Sequence, residues 1–408
     1  GGLLRAGEWT TYRCDNARSA VTEDCAAPPL KECWVFRPGH APDAAWGDPN
    51  PRPVGGWHGA FELRRFHFDD AFHVTVSEGA VYFASSADGS VVSLDAATGK
   101  PRWRTLTGGP VRLAPALWQD KVYVGSDDGR VYCLRKEDGT TRWTFDAAPN
   151  SQRLLGSGKM ISRWPVRTGV LVDDGVAYFG AGIFPAEGVY LYAVDAEDGK
   201  LVWCNDTCGA APQSRISPQG YLLASKERLF TPLGRVSPAA FDRKDGHLLY
   251  EAYIEHIIGG TNAVLSGDQL FTGTEQMIGF DEASFRARSS WFWGESLVVT
   301  PKRYYSATGT ELFAVDREGY GAASLQRKKL LDQKRDLANR IRRAIQGPKE
   351  VLKKLEAEMD ALNVEIGKAE AGMAEGEVWR VLCDCKETLA LGGNVLFAGG
   401  DKKVVAFD

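Results

Sequence analysis

No run of about 18 apolar residues occurs in this 408-residue chain, which excludes a membrane-spanning helix. No Gly-x-Ser-x-Gly elbow is present, so the familiar nucleophile signature of the hydrolases is missing. Positive charge is not in excess. With 49 Lys and Arg against 53 Asp and Glu, the formal net charge of −4 gives no electrostatic case for nucleic acid or for a polybasic membrane anchor. A zinc signature is lacking too: of the eight cysteines only Cys204 with Cys208 and Cys383 with Cys385 are close, and no His lies near either pair. An even cysteine count still permits disulfides in an oxidising compartment. A hydrophobic fraction of 44% with 25% charge describes a globular chain with ample core.

What the chain has in quantity is a repeat. Residues 81–84 and 91–94 are short β-type runs separated by a turn at Ala87-Asp88-Gly89, and a second turn, Asp95 to Gly99, leads to a third run ending at Trp103. The unit recurs with turns ending at Gly139, Gly199 and Gly246 and closing aromatics at Trp143, Trp203 and Tyr250. Asp195 and Asp242 stand where Asp95 does, and weaker copies end at Trp291 and Trp379. A last copy starts at Val395 and stops at Phe407-Asp408, short of the Gly-turn and closing Trp that the pattern calls for. Spacings of 40, 60 and 47 residues between closing aromatics, with period-2 alternation inside the pieces, predict an all-β propeller of four-stranded blades. Seven repeats are visible, which fits a seven-bladed ring or an eight-bladed ring whose remainder lies beyond Asp408. Each indole is expected to wedge between neighbouring sheets.

Residues 1–29, with Trp9, Tyr12, Arg13 and Arg18 and little alternation, read as an arm over the propeller surface. The propeller proper is expected over 30–316 and 377–408, with 30–36 as a candidate strand closing the last blade. His67 and His73, six residues apart with Asp69 and Asp70 between them, are more simply backbone-bonded histidines than metal ligands, and no metal site is assigned. The Gly-turns are tight, whereas 144–168, 180–190 and 204–220 are long and all open on the other face, as a lid. Arg163, Trp164 and Arg167 lie on these loops with Arg215 and Gln219, and Arg112 and Arg235 are expected nearby on inner strands. Guanidinium forks beside an indole suit a planar or anionic ligand, although arginines satisfying loop carbonyls would look the same.

Residues 317–376 replace a Gly-turn after Asp316. Leu352, Leu355, Met359, Leu362, Ile366, Ala369 and Met373 recur at 3 and 4 spacing, and Leu330, Leu337, Ile341 and Ala344 give a partial seam upstream of Gly347-Pro348. Two helices folding back as an antiparallel coiled-coil hairpin are expected there, projecting from the face opposite the lid. Charges on one helix would pair with those on the other, and 320–375 offers a second contact surface for a partner.

The stretch Ser93-Leu94-Asp95-Ala96-Ala97-Thr98-Gly99-Lys100-Pro101-Arg102-Trp103 resembles the tryptophan-docking repeat of the quinoprotein alcohol dehydrogenase-like propellers, and residues 194–203 match it nearly as well. Trp9-Thr10-Thr11-Tyr12-Arg13 and Ser162-Arg163-Trp164-Pro165-Val166-Arg167 look like bacterial pyrroloquinoline quinone (PQQ)-like repeat proteins. The resemblance covers about 9–316 and 377–408. It implies a propeller fold and an extracytoplasmic setting, and it admits two functions, because the superfamily holds PQQ- and calcium-dependent dehydrogenases and non-catalytic BamB-type scaffolds. Catalytic members carry adjacent cysteines below the quinone and Glu, Asn and Asp groups that hold calcium and take the substrate proton. No Cys-Cys pair occurs here, and no acidic residue maps onto the base position. The expected function is therefore a non-catalytic scaffold, without cofactor, holding a protein or small ligand on its lid face. The alternative is a PQQ- and calcium-dependent oxidoreductase.

Overall fold

The computed structural model describes residues 7–24, 28–46, 68–209, 216–234, 237–251, 263–273, 276–284 and 287–408. Among them are seven four-stranded sheets and two long helices. Sheet 1 is Thr75–Ser77, Ala80–Ala84, Ser90–Asp95 and Pro101–Leu106, in that order from one edge to the other, and all its pairings are antiparallel. Sheets 2 to 6 repeat this order, beginning at Ala116–Trp118, Leu171–Asp173, Leu223–Ala224, Ala263–Ser266 and Ser296–Val299. Sheet 7 has three repeat strands, Thr388–Gly392, Val395–Gly400 and Lys403–Phe407, and takes its fourth from the arm: Val21–Thr22 pairs in parallel with Thr388–Gly392.

The repeat motif acts through turn chemistry. The Asp95 carboxylate accepts from Ala97 N, Thr98 N and the Thr98 hydroxyl at 2.9–3.2 Å, and Asp195 and Asp242 close their turns in the same way. Each turn ends on a glycine in the left-handed region, such as Gly199 at φ +75°. The next step is packing. Trp103 of sheet 1 donates Nε1–H to Lys136 O in sheet 2, Trp143 to Ala196 O in sheet 3, and Trp203 to Arg243 O in sheet 4. The indole lies flat on the neighbour's turn glycine, so closely that a Cβ on Gly199 would come 2.8 Å from the Trp143 ring. Trp379 of sheet 6 stacks on Phe407 of sheet 7. Pleating then gives every sheet two apolar faces. Tyr82 and Ala84 pack toward sheet 2 with Leu117 and Val122, while Phe83 and Val92 face the other way, onto Trp34, Phe36 and Phe72.

Residues 30–36 do not form the expected closing strand. Trp34 nevertheless occupies the docking position on sheet 1, over Gly99 and bonded to Ala96 O at 2.9 Å. Ring-on-turn packing is retained without backbone pairing, and among the described residues Lys403–Phe407 has no partner on its outer edge.

The arm differs more. Its residues lie not on the outside but at the common axis of the sheets. Trp9 pairs with Val76 (sheet 1), and Thr10 O accepts from Leu117 N (sheet 2). Arg13 donates to Leu297 O (sheet 6), Asn16 donates to Val172 O (sheet 3), and Asn16 O accepts from Ala224 N (sheet 4). Ala17 O accepts from Leu265 N (sheet 5) and Ala20 O from Leu391 N (sheet 7). One short segment reaches the first strand of all seven sheets, and visits sheet 6 before sheet 3, only if those strands converge. Convergence of this kind is the mark of a propeller-like arrangement. Arg13, Cys14, Arg18 and Ala20 all have φ between +56° and +79°, which turns successive peptide groups toward different sheets.

The two helices, α1 (Arg317–Ala344) and α2 (Lys349–Glu375), connect the third and fourth strands of sheet 6 and pack on each other. The Asp316 carboxylate caps α1 at Gly319 N, 2.7 Å away. The seam residues of α2 from Leu352 to Met373 are buried or half-buried between exposed neighbours, and Arg327–Glu370 and Arg340–Glu358 pair across the helices. The hairpin does not simply project: α1 packs along Ala287–Trp293, the outer strand of sheet 5.

Candidate functional site

In these sheets the turns after the second and fourth strands open on one face, and the three long lid loops, 144–168, 180–190 and 204–220, belong to it. The first insertion carries its own hairpin, Arg153–Gly156 with Lys159–Ser162, and the second a short helical turn, Pro185–Glu187. Beneath this lid the structure brings three of the predicted arginine-site residues together. Arg112, in the loop entering sheet 2 rather than on an inner strand, sets Nε against Asp127 at 2.7 Å and Nη1 against Asp69 at 2.8 Å. Arg167 grips the same Asp127 with Nε and Nη2, both at 3.1 Å. The Arg167 guanidinium lies 5.9 Å from the Trp46 ring, whose Nε1 donates to Gln219 Oε1 at 2.8 Å.

All four charged side chains are at most 4% exposed, so two cations and two anions balance in the interior. Burial works against the Arg112 charge, but the carboxylates of Asp127 and Asp69 outweigh it and hold its pKa above the ordinary arginine value. Ala45 N and Asp43 O close the network from the segment above. Arg112 Nη2 and Asp69 Oδ1 are buried without a hydrogen-bond partner among the described residues.

Below the charges lies an aromatic stack. Tyr12 of the arm is parallel to Tyr221 with centroids 3.6 Å apart, and His73 meets Tyr12 edge-on at 5.0 Å. Tyr221 OH accepts from Ala114 N, and Arg18 lies over the same ring. Burial pulls the His73 pKa down to about 4. A neutral ring and a carboxylate already bound to Arg112 make a poor metal set, and His67 falls outside the described residues.

Arg163 and Trp164 form a separate pair. Arg163 lies 5.4 Å over the Trp164 ring and binds Gln152 and Glu187, while Trp164 Nε1 donates to Glu187 O at 2.7 Å. Arg215 and Arg235 lie outside the described residues. Asp127 and Trp46 were not anticipated as site residues, and Asp69 was named only beside His67 and His73. Asp127 looked like an ordinary turn residue before Gly129, and only its pairing with two distant arginines sets it apart.

An anionic planar quinone with calcium does not fit these groups. Arg112 and Arg167 already hold aspartates, Arg163 pairs with Glu187, and the axis beneath is occupied by the arm. The clusters of metal-ligating side chains among the described residues are elsewhere: Asp242, Asp245 and His247 in a turn of sheet 4, and Cys383, Asp384 and Cys385 between sheets 6 and 7. Open space lies to the sides. A cavity of about 340 Å3 on the lid face is lined by Asp128, Arg130, Asp146, Gln152 and Arg153. Another of about 640 Å3 on the opposite face is lined by Glu8, Asp15, Trp118, Gln119, Asp173 and Asp174.

Residues 56–214 match the family model described as outer membrane protein assembly factor BamB, so this stretch carries the PQQ-like, BamB-like repeat. The chain is 33% identical over 141 residues to quinohemoprotein alcohol dehydrogenase ADH IIB of Pseudomonas putida, covering 31% of this chain and 18% of that protein. Outer membrane protein assembly factor BamB of Yersinia pestis is 27% identical over 130 residues, 32% of this chain and 29% of that one. The matched stretch thus spans less than a third of either relative's length. In fold, the chain is similar to quinohemoprotein alcohol dehydrogenase from Comamonas testosteroni, with a TM-score of 0.58 at 12% identity over 99% of this chain and 72% of that one.

Proposed function

We propose that this PQQ-like, BamB-like repeat chain is a non-catalytic, extracytoplasmic scaffold that holds a protein partner on its lid face. One observation carries the reading: the axis is filled by the chain's own arm, hydrogen-bonded to every sheet, beneath arginines that are neutralised internally. A small-molecule site needs concave space with polar groups left over for the ligand, and here most of the charge beneath the lid pairs internally, Arg112 and Arg167 with Asp127 and Asp69. The lid instead presents apolar side chains to solvent, with Leu155 72%, Met160 54% and Phe184 53% exposed on its first two loops. Leu155 and Met160 are cross-strand partners on one side of a hairpin, a raised apolar edge suited to another protein's surface.

The oxidoreductase alternative is tested directly. PQQ with calcium is added to the protein, its absorbance is followed, and a panel of alcohols is offered with a redox dye as acceptor. The expected result is an unchanged quinone spectrum and no dye reduction. Dye reduction that requires PQQ and disappears in Arg163→Ala would replace the scaffold reading with the enzymatic one.

A further inference from the structure

The fourth strand of sheet 6 ends at Leu382 and the first strand of sheet 7 begins at Thr388. The strap between them is pinned along its length. Cys383 N donates to Thr310 O, Lys386 pairs with Glu295, and Glu387 N donates to Gly399 O. Within it the side chains alternate. Cys383 and Cys385 turn inward, 8% and 0% exposed, while the Asp384 side chain between them is 70% exposed and pairs with Lys403 at 2.5 Å. Alternation in an extended segment puts residues i and i+2 on one side, and both sulfurs here lie within 4.8 Å of each other. Gly400 makes the space: a Cβ there would come 3.0 Å from the Cys385 sulfur and 3.1 Å from its Cα.

We propose that Cys383 and Cys385 are a redox site that takes a low-molecular-weight disulfide as oxidant and closes to an intramolecular disulfide. The surroundings favour that product. Val298, Leu389, Leu396 and Ala398 belong to the same buried apolar cluster as the two cysteines. Ionised thiolates or a bound cation would place charge in this apolar cluster, whereas a disulfide is neutral and removes both S–H groups. Cys204 and Cys208 contrast with this pair, because Cys204 is exposed.

The chemistry balances with glutathione disulfide. Cys383, the more exposed residue of the two, attacks as the thiolate, forms a mixed disulfide and releases one glutathione thiolate. Cys385, deprotonated in turn, attacks the Cys383 sulfur, forms the Cys383–Cys385 bond and releases the second glutathione. The two thiol protons pass through solvent to the two glutathione thiolates. Two electrons leave the protein and reduce one glutathione disulfide.

The full chain is incubated with glutathione disulfide, quenched with an alkylating agent and digested with trypsin. Cleavage after Arg380 and Lys386 releases residues 381–386 with both cysteines in one peptide. The expected peptide is two hydrogens lighter than the dithiol, carries neither alkyl group nor glutathione, and reverts on reduction. In Cys385→Ser the second step is blocked, and the peptide should carry glutathione on Cys383. A wild-type peptide that remains doubly alkylated, or that carries two glutathiones, would overturn the proposal.

Discussion

If the arm is the hub of the sheets, Arg18→Met should weaken the whole fold rather than one edge of it. Arg18 is 1% exposed and donates to Leu222 O at 2.9 Å, Thr11 Oγ1 at 2.7 Å, and Tyr12 O and Asp15 O, both at 3.1 Å. Methionine keeps much of the stem's volume but leaves three carbonyls and a hydroxyl without this donor, a loss of about 1–1.5 kcal/mol each. An opposing term comes from the charge itself. Burial pulls the Arg18 pKa down to about 10, so removing the guanidinium recovers about 3 kcal/mol of desolvation. The net expectation is a loss of about 1–3 kcal/mol, read as a lower urea midpoint with an unchanged slope. Hydrogen exchange supplies the discriminating detail: the first strands of all seven sheets should lose protection together, because the arm bonds to each. A loss below about 0.5 kcal/mol, the level of an exposed substitution, would refute the reasoning. So would faster exchange confined to sheet 4, where Leu222 lies beside the first strand.

Two further expectations concern neighbouring features. The folded-state pKa of His73 is depressed to about 4 from 6.5, so the unfolded chain binds the extra proton between these values. Stability from this residue is therefore complete above about pH 6.5 and declines as pH falls toward 4, by about 3 kcal/mol in all. Urea titrations of wild type and His73→Gln across that window should differ in slope, and parallel curves would show that the imidazole is not held neutral. Gly199→Ala places a methyl against the Trp143 ring at φ +75° and should cost about 2–4 kcal/mol. Combined with Trp143→Leu, its cost should shrink, and strict additivity in the double-mutant cycle would mean that ring and turn are not in contact.

The local grammar of the sheets was legible because it is local. An Asp that closes a turn, a glycine with positive φ and an indole four residues on leave a fixed spacing, seen at Asp95, Gly99 and Trp103. The α2 seam was legible for the same reason, since Leu355, Ile366 and Ala369 must face one way for the helix to bury them. The arm was not. It engages the sheets chiefly through backbone groups and through left-handed residues that are not glycine, Arg13, Cys14, Arg18 and Ala20, and neither device leaves a hydrophobic period. The pairing of Arg112 and Arg167 on Asp127 was half visible: the cations were recognised as a group, but their counter-ion lay hidden in a turn motif that recurs elsewhere as structure alone. Trp34 taught the converse lesson. A repeat-like strand ending was read as a strand, whereas the indole alone keeps its place on Gly99.

The hub also bears on how such a ring can change its size. Where sheets touch only their neighbours, one copy of the repeat can be gained or lost and the circle can readjust by small rotations. Here each sheet has its own appointed carbonyl, amide or guanidinium on a single strand of peptide at the centre. An added sheet would arrive with no group waiting for it, and a deleted one would strand a polar atom at the centre of the sheets. Duplication within this lineage should thus be recorded first in residues 9–22, as insertions matched to the number of sheets around them.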